Sequence, residues 1–105
     1  MNLTNFENMP DTKAAKYAEP VLYIIKRYGV DNPIKSHQIE KILAVSGAVV
    51  RGAVSFLREN GCAVCSGSRG YYYDYTGKET KKTIAHLRQR AQRMLNVANK
   101  LEKSI

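Results

Sequence analysis

Apolar residues recur at helical spacing in several stretches of the chain and alternate as in a strand in one. A polar, Asn-rich opening over residues 1–10 ends in Met9-Pro10 and reads as a flexible arm. Asp11 is placed to cap a partial turn containing Thr12, Ala14, Ala15 and Tyr17. Pro20 suits the first position of a helix, and Val21, Leu22, Ile24, Ile25 and Tyr28 give that helix a wide apolar face. Gly29 supplies a left-handed stop, so a helix is predicted over about 19–28. Asp31-Asn32-Pro33 is turn chemistry, followed by a very short strand at Ile34 and Lys35. Ser36 is predicted to cap a second helix reaching Leu43, with Ile39, Ile42 and Leu43 facing inward. After a break at Ala44-Val45, Ser46 caps a third helix to Glu59 that buries Val50, Ala53, Val54 and Leu57. Asn60-Gly61 ends it.

The period then changes. Residues 62–65 and 71–75 are β-prone runs around Ser66-Gly67-Ser68-Arg69-Gly70, which predicts a hairpin with a flexible five-residue loop. Tyr71, Tyr73 and Tyr75 fall on one strand face and Tyr72 on the other, which favours packing over base stacking. From Lys78 to Ser104 there is no Gly or Pro, so one long helix is expected, its Glu79 to Ser104 part spanning about 39 Å at 1.5 Å per residue. Along it Ile84, Leu87, Ala91 and Met94 recur in alternating steps of three and four, continued by Ala98, Leu101 and Ile105. That seven-residue repeat is the mark of a coiled-coil seam, and a homodimer is the expected use of it. The fold class is therefore α+β, mainly α. Its domains are the arm at 1–10, a body at 11–77, and the helix of 78–105.

Charge changes this picture by position. The 105 residues carry 17 Lys and Arg against 9 Asp and Glu, a net charge of +8. Residues 79–105 hold seven basic side chains against Glu79 and Glu102, so most of the excess sits on the seam helix. Such a balance favours a polyanionic partner. No apolar run nears the roughly 18 residues that cross a bilayer, and no basic stretch leads into an apolar one as in a secretory signal. A cytoplasmic location with no membrane partner is expected.

Catalytic chemistry finds no purchase. There is no nucleophile–base pair, acidic pair or phosphate-cradling glycine loop, so neither an enzyme nor a cofactor is expected. Cys62-x-x-Cys65 has metal-ligand spacing, but only His37 and His86 could complete a tetrahedral set. Buried thiols are the expected role, with no metal site.

The order helix, short strand, helix, turn, helix, hairpin resembles the winged helix-turn-helix family. The resemblance spans about residues 19–75 and rests on Ser36-His37-Gln38-Ile39-Glu40-Lys41-Ile42-Leu43-Ala44-Val45-Ser46 leading into Val50, Ala53, Val54, Leu57 and Gly61. With the hairpin GYYY and the tail LRQRAQRMLNVANKLEK, the chain looks like small phage and prophage helix-turn-helix proteins. That likeness implies a third helix in the major groove of duplex DNA and a wing on phosphate, in phage regulation or replication within the host cytoplasm. Ser36 and Ser46 would lie at capped helix starts. Ala48, Arg51, Gly52, Ser55 and Arg58 would lie on the outer face of the third helix, and Ser68 and Arg69 at the wing tip. Arg51 is the candidate for a guanine edge, because its fork matches O6 and N7. Small residues on that face also admit the alternative of a protein-interaction module holding a replication or transcription partner.

Overall fold

In the computed structural model, which describes residues 12–105, Thr12 takes the cap of the first helix. Its Oγ1 accepts from the Ala15 N–H at 3.1 Å, opening α1 (Lys13–Lys16). The arm expected over residues 1–10 and the cap expected at Asp11 lie outside the described residues. The next helix, α2 (Ala18–Ile25), is offset from the expected 19–28 at both ends. Pro20 sits within its first turn, where a missing N–H breaks no helical bond. Beyond Ile25 the chain tightens, Arg27 N–H donating to Ile24 O and Tyr28 N–H to Ile25 O. Gly29 is not the left-handed stop expected of it; the positive-φ glycines are Gly61, Gly70 and Gly77. Asn32 closes that loop instead, its Oδ1 accepting from the Gly29 N–H at 3.0 Å.

Ile34 forms a single antiparallel bridge to Tyr71, donating at 2.8 Å and accepting at 2.7 Å. The next helix, α3 (Ser36–Leu43), is capped one residue earlier than expected. Lys35 is the cap residue, its N–H donating to Gln38 Oε1 at 3.0 Å, while Ser36 Oγ donates to Glu40 Oε2 at 3.0 Å. The turn that follows is made by Ala44 in the left-handed region (φ 54°) and a half-buried Val45. Ser46 caps α4 (Gly47–Glu59) as expected, its Oγ accepting from the Val49 N–H at 3.3 Å. Val50, Ala53, Val54 and Leu57 are buried, and Asn60-Gly61 ends the helix with Gly61 at φ 82°.

These apolar faces meet in one core, where Val21, Leu22 and Ile25 pack with Ile34, Ile39, Val54 and Leu57. Ile42, expected inward, is 60% exposed. Leu43 keeps nearer to the direction of Ile39, and Ile42 swings to the helix edge.

The hairpin is tighter than expected. Strands β1 (Val64–Gly67) and β2 (Gly70–Tyr73) pair antiparallel with Gly67 opposite Gly70, which leaves a two-residue turn of Ser68 and Arg69. Cys65 and Tyr72 face each other, both buried; Tyr71 and Tyr73 are half-buried against the core. Tyr75 lies beyond the strand, its O–H donating to Lys26 O at 2.9 Å and its ring 4.7 Å from that of Tyr73. Packing is thus what occupies most of the tyrosines.

The described chain falls into two compact units, one ending at Tyr75 and the other Thr76–Ile105. The second is α5 (Lys78–Lys103), a 26-residue helix with no buried residue. Thr76 Oγ1 accepts from its Lys78 N–H at 3.2 Å, and Lys82 pairs with Glu79 at 3.6 Å. The whole is α+β and mainly helical, and no helix among the described residues is long and apolar enough to cross a membrane.

Candidate nucleic-acid interface

Helical spacing puts Ala48, Arg51 and Ser55 on one outward stripe of α4, and all three are exposed, as is the capping Ser46. Glu59 ends the same stripe, so its single cation is followed by a carboxylate. Arg51 lies back over Gly47: a Cβ on that glycine would meet Arg51 Nη1 at 3.2 Å and Glu40 Oε2 at 3.4 Å. Glu40, which also accepts from Ser36, and Arg51 thus both lie close around Gly47.

Two residues expected on that face have other work. Gly52 is half-buried, and a Cβ there would stand 2.7 Å from the Ala14 Cβ, so its smallness serves the approach of α1 to α4. Arg58 is drawn into the fold. Its Nε donates to Val64 O at 2.7 Å and its Nη2 to Ser66 Oγ at 3.1 Å, which fastens α4 to β1.

The hairpin turn also departs from expectation. Arg69 is no free apex side chain, because its Nη2 donates to Val30 O at 3.3 Å and Asp31 O at 3.0 Å. Those carbonyls hold the guanidinium beside the start of α3. There Lys35, Ser36, Ser66, Ser68, Arg69 and Tyr71 line a groove of about 380 Å³. Three residues named from the sequence, Ser36, Ser68 and Arg69, thus converge on one concavity. Its two cations, its serine hydroxyls and the positive end of the α3 dipole are what an anionic oxygen requires. Lys35 and Ser66 were missed. The signal for Lys35 was its place directly before the helix start; Ser66 was visible only as part of a turn that proved to be strand.

Cys62 and Cys65 are both buried and neither forms a disulfide. Burial pushes the Cys62 thiol up from its ordinary range, with the Lys26 charge pulling weakly the other way. Among the described residues no three His, Cys, Asp or Glu side chains gather as metal ligands would.

On α5 no residue of the repeat read from the sequence is buried, exposure rising from 39% at Ile84 to 67% at Met94. Leu95 and Val97, each 57% exposed, flank it and widen the apolar face beyond the expected stripe. In the first unit, a groove of about 700 Å³ between α2 and α3 is lined by Tyr23, Ile24, Ile42 and Leu43, among others. The chain matches no protein-family model, no curated protein and no solved structure.

Proposed function

We propose that this chain is a winged helix-turn-helix protein that binds duplex DNA and acts as a dimer through α5. Its place is in phage regulation or replication, in the cytoplasm of the host. The observation that carries the reading is the cationic groove where the hairpin turn meets the start of α3. Such a groove suits a backbone phosphate, while the exposed Ala48, Arg51 and Ser55 stripe of α4 suits a major groove. One cation on that stripe gives modest sequence preference. Phosphate contacts and the basic α5 give general affinity. Titration of labelled duplexes across a range of salt tests this. Affinity should fall steeply as salt rises, and absence of binding at low salt overturns the reading.

A second reading is favoured by the apolar groove between α2 and α3, where Tyr23 and Ile42 stand exposed. It casts the chain as an interaction module for a replication or transcription protein. Recovery of a stoichiometric partner that survives nuclease treatment, lost on Ile42→Glu, supports it; recovery unchanged by that substitution removes it.

A further inference from the structure

We propose that the apolar face of α5 is covered by α5 of a second copy of this chain running antiparallel, in the register that sets Ile84 against Leu101 of its mate. This rests on the dimer in the function proposed above, but not on DNA binding. Three features of the helix select the direction.

The first is size. Ile84, Ala91, Ala98 and Ile105 occupy one position of the seven-residue repeat, and Leu87, Met94 and Leu101 the other. In a parallel, in-register pair like positions meet, so Ala91 faces Ala91 and Ala98 faces Ala98, leaving two underfilled layers. In the antiparallel pair unlike positions meet. Ala91 then faces Met94, Ala98 faces Leu87, and Thr80 faces Ile105, so each alanine is filled by a long side chain.

The second is charge. Lys78, Lys81, Lys82, Arg88, Arg90 and Arg93 crowd the first sixteen residues of α5 against Glu79 alone. Parallel pairing lays these two basic halves side by side. Antiparallel pairing sets each against the sparser end holding Lys100, Glu102 and Lys103, and brings Lys81 beside Glu102 of the mate.

The third is the widened face. Leu95 and Val97 flank the seam and are exposed. In the antiparallel pair they lie against Arg88 and Arg90 of the mate, whose aliphatic stems can cover them while the guanidinium groups stay in water. The two starts of α5 then stand roughly 40 Å apart along the pair, not side by side.

Disulfide trapping in the full-length chain, with sedimentation equilibrium for its mass, tests the direction. The double variant Lys81→Cys, Glu102→Cys should form a covalent dimer under mild oxidation, as should an equimolar mixture of the two single variants. Each single variant alone should not, and the unsubstituted chain reports any contribution of Cys62 and Cys65. Ile84→Cys alone crosslinks only in a parallel pair. A monomeric mass, a dimer without the Lys81–Glu102 crosslink, or a crosslink through Ile84→Cys overturns the proposal. Duplex titration of the same samples reads DNA binding separately, so loss of one conclusion leaves the other standing.

Discussion

Arg58 donates from Nε to the backbone carbonyl of Val64 at 2.7 Å, and that bond joins the last turn of α4 to the first residue of the hairpin. Its Nη2 reaches Ser66 as well, so one guanidinium sets the hairpin's angle at two points. Removing it strands the Val64 carbonyl on a buried residue. Arg58→Ala should therefore destabilise the first unit by about 1–3 kcal/mol, read by chemical denaturation. Arg58→Lys should recover only part of the loss, since an ammonium cannot span both acceptors in the plane of a fork. If the alanine variant is as stable as the parent, the bond is ornamental.

The two glycines that close the hairpin should respond unequally. Gly70 has φ 134°, and a Cβ on it would collide with the Ile34 carbonyl oxygen that receives the Tyr71 N–H. Gly70→Ala should cost about 1–3 kcal/mol in backbone strain alone, with the clash added. Gly67 has open space around its Cβ position and no positive φ, so Gly67→Ala should be close to neutral. Melting temperatures of the two variants make the comparison directly.

Much of this fold is legible as pattern, and the failures have two causes, a rival local cap and contacts between elements. The caps at Ser46 and Asn60-Gly61 and the four buried positions of α4 follow from local chemistry and helical period, and they stand as expected. The cap at Ser36 does not, because Gln38 reaches back to Lys35 and moves the start by one residue. Gly52 and Arg58 lie on the helix face that period alone assigns to solvent. Each is claimed by another element, Gly52 by α1 far back in the sequence and Arg58 by β1 just past the end of the helix. Arg69 is held by carbonyls 38 and 39 residues away, which no local pattern contains. The residues of the candidate site were therefore mostly nameable, while their division between fold and surface was not.

Gly52 gives a test of that division. Alanine at a helix interior position is ordinarily better than glycine by about 1 kcal/mol. Here the new methyl would stand 2.7 Å from the Ala14 Cβ, which has no flexible end to move. Gly52→Ala should be destabilising despite its propensity. In a double-mutant cycle with Ala14→Gly the second change should recover stability, with a coupling of about 0.5–3 kcal/mol. Additive effects would mean that the two residues do not meet.

The cationic groove predicts a different signature in DNA binding from the α4 stripe. On the proposed reading Lys35 meets a phosphate at the groove, so Lys35→Ala should weaken all duplexes alike and lower the salt slope by about one. Arg51→Ala should instead relax preference among sequences, by about 1–3 kcal/mol at any guanine it reads. Selection from random duplex pools with each variant separates the two. A Lys35 variant that changes the selected sequence would reverse these roles.

Cys62 sets a limit on stability at alkaline pH. Burial raises its thiol above the ordinary value, so the unfolded chain loses that proton at lower pH than the folded one. The unfolded thiol titrates near about 8.5. Below that pH both states hold the proton and the contribution to stability is complete. As pH rises from there toward the raised folded value, the unfolded state alone is ionised and stability declines. Denaturation midpoints of the native chain should therefore fall, above about pH 8.5, more steeply than those of Cys62→Ala. Thiol reagents at pH 8 should modify this cysteine only as the fold opens, at a rate that denaturant accelerates. Equal pH slopes for the two proteins would show that the Cys62 thiol titrates alike in the folded and unfolded states.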